Sequence, residues 1–138
     1  MKARGFPDPL HHHELTSAQI VADAAYHAAR SAGVSAIVVF TSSGSSARLV
    51  SHFRPPVCIY AITPRAEVAR RLAVNYGVVP LLAPETASTD QMLEQMDQLM
   101  VEGRYLKRGD AVIFVAGQPV GRPGTTNLMK LHRIGELR

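Results

Sequence analysis

Between residues 41 and 46 the chain reads Thr-Ser-Ser-Gly-Ser-Ser, five hydroxyls around one glycine. The cluster lies between the apolar run SAIVVF and the segment SSARLVSHF, which is patterned as a helix. Thr41, Ser42, Ser43, Ser45 and Ser46 offer donors, and Gly44 permits a turn at positive φ. The first amides of the following helix point at the same spot with the positive end of the dipole behind them. Such a cradle suits a phosphate monoester. The same residues would also serve as a serine-rich helix cap holding water, and local physics leaves both readings open. The stretch is neither a Walker loop, lacking G-K-[ST], nor G-x-G-x-x-G. A dinucleotide fold would want an acidic residue after the second strand, where Thr63, Pro64 and Arg65 stand, so nicotinamide cofactors are disfavoured.

Other reactive side chains offer less. The single cysteine, Cys58, sits in the apolar run VCIYAI and reads as a small strand residue, with nothing nearby to lower its pKa. His11, His12 and His13 are adjacent, so their side chains diverge, and no second spaced ligand set accompanies them; a solvated linker is the simpler reading. His27 and His52 read as helix-surface residues with no carboxylate placed to orient them. The formal net charge of +4 permits anionic partners, but the basic residues are scattered and are not interleaved with aromatics, which argues against nucleic acid. No run approaches the roughly 20 apolar residues of a membrane span, and residues 1–15 lack the apolar core of a secretion signal, so a cytoplasmic location is expected.

A length of 138 residues with 46% hydrophobic content suits one domain, 16–138, behind a leader or linker, 1–15. The first helix opens on Thr16 and Gln19, a capping-box pair, carries Ile20, Ala24, Tyr26, Ala28 and Ala29 on one broad face, and stops at Gly33. SAIVVF has the continuous β-branched character of a strand covered on both faces. A second helix ends before Pro55 and Pro56. VCIYAIT is a second strand, and the next helix begins with Pro64 in its first turn and stops at Gly77. Pro80 marks VVPLL as an edge strand. A longer helix carries Met92, Leu93, Met96, Leu99 and Met100 as a core stripe, DAVIFVAG is a fourth strand, and TNLMKLHRI alternates like a strand less buried on one side. Strand-helix alternation predicts a parallel sheet between two helical layers, and the helix-free connection GQPVGRPGTTN makes the last strand antiparallel.

Several segments together resemble the C-terminal domain of pyruvate kinase, from about Ile20 to Ile134. The loop pattern T-x-S-G-x-[ST]-A-R after a strand, the following R-P, the G-V-x-P, the G-D before the fourth strand and the loop G-x-x-x-G-x-x-G-x-T-N occur in family order. The resemblance implies a three-layer α/β/α sandwich whose five-stranded, mostly parallel sheet has its last strand antiparallel. It implies an allosteric effector site in this domain, with catalysis in a separate (β/α)₈ barrel that carries the phosphoenolpyruvate, ADP, Mg²⁺ and K⁺ sites. No cofactor is therefore expected in this chain, nor phosphoryl transfer by this chain alone.

Carried over, Thr41, Ser42, Ser43, Gly44, Ser45 and Ser46 match the loop that grips an effector phosphate. Residues 117–127 match the loop that closes over the sugar, in which Gly117, Gly121 and Gly124 supply hinge freedom, Thr125 precedes the last strand and Arg122 is either the loop's cation able to reach an anion or, equally, a solvated turn residue. Members activated by fructose 1,6-bisphosphate place a Trp and an Arg upstream of G-x-x-x-x-G-D. This chain has no Trp, and about twelve residues before Gly103 stands Gln91. Losing one charge-assisted phosphate contact costs about 1.5–3 kcal/mol, which favours a monophosphate such as AMP, ribose 5-phosphate or glucose 6-phosphate. The family also implies a homo-oligomer. Rival readings are a free-standing phosphometabolite-binding domain, an oligomerisation domain with a vestigial loop, and a small sugar-phosphate enzyme using His52 or His27 as base.

Overall fold

The computed structural model describes residues 16–117 and 126–136. The leader expected over residues 1–15 lies outside the described residues, as does most of the glycine-rich loop. Among the described residues, four helices and five strands follow in the order α1 (Ser17–Ala32), β1 (Ala36–Phe40), α2 (Ser45–His52), β2 (Cys58–Thr63), α3 (Ala66–Leu72), β3 (Val78–Leu82), α4 (Thr89–Glu102), β4 (Ala111–Gly117) and β5 (Thr126–Arg133). The strands form one sheet in the order β3-β2-β1-β4-β5. All neighbours pair in parallel except β4 and β5, which are antiparallel.

Local signals set most boundaries. Thr16 and Gln19 form the complete capping box, each side chain bonding the other's backbone amide, and Gly33 closes α1 at φ +65° in the left-handed region. β1 is central and buried on both faces, as its unbroken apolar run requires. Pro80 lies in β3, which is an edge strand.

Helices α1, α2 and α3 cover one face of the sheet. There Ala22, Ala25, Ala29, Ala47, Val50, Val68 and Leu72 pack on Ile37, Val39, Ile59, Ala61, Ile113 and Val115. Among the described helices α4 alone covers the other face, laying Met92, Leu93, Met96 and Met100 on Val38, Ile62, Val112 and Phe114. The methionine stripe is core, and each such side chain taken fully out of water contributes roughly 1.5–3 kcal/mol. The three-layer arrangement with one antiparallel strand is the one the sequence pattern predicts.

Several expectations are corrected. Ile20 is 59% exposed, because the buried line of α1 is Ala18, Ala22, Ala25 and Ala29. Ile20 is two residues from both Ala18 and Ala22, about 200° around the helix from that line. Small side chains let α1 lie close to its neighbours, and the larger isoleucine is left outside. Pro64 precedes the cap residue Arg65 of α3 instead of occupying its first turn. α3 ends at Leu72, five residues before Gly77, because the chain must turn back to feed β3. Asn75 N donates to Leu72 O, Val78 N to Asn75 O, and Gly77 adopts φ +69°. β5 is less buried on one side, as its alternation predicts, with Leu128 and His132, and Ile134 just beyond the strand, on the inner face. Met129 and Leu131 are exposed, whereas His132 is fully buried.

Candidate functional site

From β1 the chain crosses to β2 and then β3 on one side, and α4 carries it back across the sheet to β4 on the other. The reversal falls between β1 and β4, and in open α/β sheets ligands bind outside the carboxyl ends of the strands at such a point. Val39 pairs with Val115, two residues before Thr41 and Gly117 respectively. Thr41, where the hydroxyl loop begins, and Gly117, the last residue of β4, therefore stand at the same height on neighbouring strands, about 5 Å apart.

The hydroxyl loop is internally braced. Thr41 N donates to Ile62 O at 3.0 Å, tying the loop to β2. Thr41 Oγ1 accepts from Gly44 N at 2.8 Å, and Thr41 is buried. Gly44 is the cap residue of α2 at φ +92°, a conformation open to glycine without strain. Having no side chain, it cannot cap, and Ser43 takes the role. Its Oγ lies 3.3 Å from the donating Ser45 N and 2.7 Å from Ser45 Oγ. The first backbone bond of the helix runs from Arg48 N to Gly44 O at 3.0 Å, so the amides of Ser45, Ser46 and Ala47 precede the helical ladder and face its open end.

Burial separates the six residues. Thr41 and Ser46 are turned inward, and Ser46 makes contacts of its own, while Ser42, Ser43 and Ser45 are half-buried at the rim. Of the expected second segment, Gly117 ends β4 beside this loop. Gly121, Arg122, Gly124 and Thr125 lie outside the described residues.

One neighbour escaped the sequence reading as a site residue. A Cβ built on Gly44 would come within 2.9 Å of Arg48 Nη1, 3.3 Å of Val68 Cγ1 and 3.4 Å of Leu72 Cδ2. The Arg48 guanidinium therefore folds back over the cap residue, beside α3. The signal was present in the four-residue spacing of Gly44 and Arg48, one helical turn. Nearby, Arg65 is engaged with Glu67, its Nη2 and Nε lying 2.8 and 3.1 Å from Oε2. The Glu67 carboxyl is held below the usual carboxylate range, first by a hydrogen bond from its own backbone amide and then by Arg65.

The remaining candidates lie elsewhere. His27 does have a carboxylate, Asp23 Oδ1 at 3.3 Å, contrary to the sequence expectation, but both side chains are more than half exposed on α1. His52 is the exposed last residue of α2, about 12 Å along the helix from the cradle. Burial pushes the Cys58 thiol up, against a smaller lowering by its hydrogen bonds with Tyr60 and the backbone. Among the described residues no group of three His, Cys, Asp or Glu side chains is arranged to hold a metal ion, and no helix is long and apolar enough to cross a membrane. A polar cluster that the sequence did not announce joins α4 to β5. Buried His132 donates from Nε2 to Asp97 Oδ1 at 2.9 Å. Its Nδ1 lies 3.3 Å from Glu136 Oε1 without the alignment of a hydrogen bond.

Comparison with known proteins agrees with this architecture. The family model described as "Pyruvate kinase, alpha/beta domain" matches residues 19–132. A pyruvate kinase of Staphylococcus saprophyticus is 43% identical over 110 residues, covering 80% of this chain and 19% of that protein. One of Lactobacillus delbrueckii subsp. bulgaricus is 40% identical over 117 residues, covering 85% and 20%. One of Staphylococcus aureus is 42% identical over 110 residues, covering 80% and 19%. The chain thus spans about a fifth of the length of the curated relatives it matches. With the sheet order, the single antiparallel pair and the matched span in agreement, the chain belongs to the pyruvate kinase alpha/beta domain family.

Proposed function

We propose that this chain is the effector-binding and oligomerisation domain of a cytoplasmic pyruvate kinase, and that the loop at residues 41–46 takes the phosphate of a phosphorylated metabolite. The observation that carries the reading is the placement of that loop. It meets the N-terminus of α2 at the switch point of the sheet, held open by Thr41 and by glycine at φ +92°. Half-buried Ser42, Ser43 and Ser45 line the rim, and none of the six residues is acidic. A monophosphate such as AMP or a sugar monophosphate is favoured over fructose 1,6-bisphosphate, since the chain has no Trp for the second phosphate. The catalytic barrel, with its metal ions, would be supplied by a longer parent chain, and the oligomer by further copies.

The rival reading as a sugar-phosphate enzyme loses support. His27 lies in the half of α1 nearer the amino ends of the strands, and His52 at the far end of α2, both remote from the cradle. Calorimetric titration with AMP, glucose 6-phosphate and fructose 1,6-bisphosphate tests the proposal. Ser45→Asp should abolish binding through like-charge repulsion, yet leave the fold intact, since an acidic residue in the first turn suits the helix dipole. Unchanged affinity in that variant, or none for any phosphate in the unaltered chain, refutes the assignment.

A further inference from the structure

We propose that Arg48 supplies the positive charge of this cradle and makes it selective for a phosphate monoester in its doubly charged form. The inference rests on the reading of residues 41–46 as the effector-phosphate site.

Helical side chains lean toward the N-terminus of their own helix, so a residue one turn into α2 naturally reaches over the cap. Arg48 Nη1 lies 2.9 Å from the point where a Cβ of residue 44 would stand. That places it within about 4.5 Å of the Gly44 Cα, one bond length further at most. Val68 and Leu72 crowd the same point. Glycine at this position leaves room for the guanidinium against the loop, in addition to allowing the φ +92° backbone.

The charge is also available. Arg65, a second arginine at this edge of the sheet among the described residues, is neutralised by Glu67 at 2.8 Å. Among the described residues no carboxylate lies within ion-pair distance of Arg48. The serine hydroxyls and helix amides are neutral donors, which hold an anion by dipoles alone. A guanidinium adds a full charge and a planar fork suited to two phosphate oxygens. A phosphate monoester passes from one negative charge to two near pH 6, and the cation should make the cradle prefer the second form.

The test is calorimetric titration of the 138-residue chain with AMP at pH 7.5 and 5.5, for the unaltered protein, Arg48→Gln and the control Arg65→Gln. Arg48→Gln should weaken binding about ten- to a hundredfold at pH 7.5, narrow the affinity difference between the two pH values, and leave the circular dichroism melt unchanged. Arg65→Gln should bind as the unaltered protein does. If Arg48→Gln binds AMP as tightly as the unaltered chain, the inference fails while the site stands. Equal weakening by Arg65→Gln also overturns it, since diffuse surface charge would then account for the effect. If the unaltered chain does not bind AMP or any other phosphorylated metabolite, the reading of the loop falls and this inference with it.

Discussion

The link between α4 and β5 makes a quantitative prediction. His132 is fully buried and the Asp97 side chain only 14% exposed, with 2.9 Å between Nε2 and Oδ1. Replacing His132 with Leu keeps most of the volume but removes a hydrogen bond to a charged acceptor. Such bonds contribute about 1.5–3 kcal/mol, and the carboxylate left with one donor fewer regains little from water at that exposure. The expected loss is about 2 kcal/mol, or a fall in Tm of about 6–10 °C for a domain of this size. Asp97→Leu should cost a similar amount, because it leaves a fully buried imidazole nitrogen unpartnered. Replacing both with leucine removes the polar pair altogether, and apolar substitutes for a buried pair are often close to neutral. The double variant should therefore lose at least about 1 kcal/mol less than the two single losses added together. Urea unfolding followed by circular dichroism, with m values checked for constancy, measures all four proteins. A His132→Leu loss below about 0.5 kcal/mol, within the range of ordinary surface changes, would refute the reasoning. So would strict additivity, since the two groups would then act independently despite their contact.

Thr41→Val should destabilise the chain by about 1–3 kcal/mol by stranding the Gly44 amide, whose acceptor is the buried Thr41 Oγ1, and it should weaken phosphate binding more than it lowers Tm at saturating ligand would suggest; a variant that melts with the unaltered chain contradicts the bracing role. Burial raises the Cys58 thiol above its ordinary value of 9.0, so at pH 8 iodoacetamide should alkylate it more slowly than a free thiol. Because the folded state then holds that proton more tightly than the unfolded one, the contribution is present below about pH 9 and lost as pH rises through the raised value. Cys58→Ala should remove that part of the alkaline fall, and an identical fall in both proteins would count against the shift.

The fold was legible wherever a local rule was sufficient. The capping pair Thr16 and Gln19, the uninterrupted SAIVVF and the proline of an edge strand each act within a few residues, and the mostly parallel sheet follows from the strand-helix alternation, whereas the strand order comes from the structure. Where distant parts decide, the sequence was silent. The LMKLHR pattern of β5 does not say which side faces in, and the inner side, with Leu128, also carries His132, stabilised by an aspartate 35 residues earlier on another layer. Ile20 looks like core until the alanines beside it are seen to set the helix-to-sheet distance. The site divides in the same way. Five hydroxyls in six residues are visible as a cluster, but counting them overstates what a ligand would meet. Thr41 braces the loop from below and Ser46 is turned in, leaving three serines, the N-terminal end of α2 and a guanidinium. A site of neutral donors alone would hold sulfate, phosphate monoester and diester by much the same dipoles. On the proposed reading, discrimination among anions would come from formal charge and its position, and so from Arg48, a residue the hydroxyl count does not include.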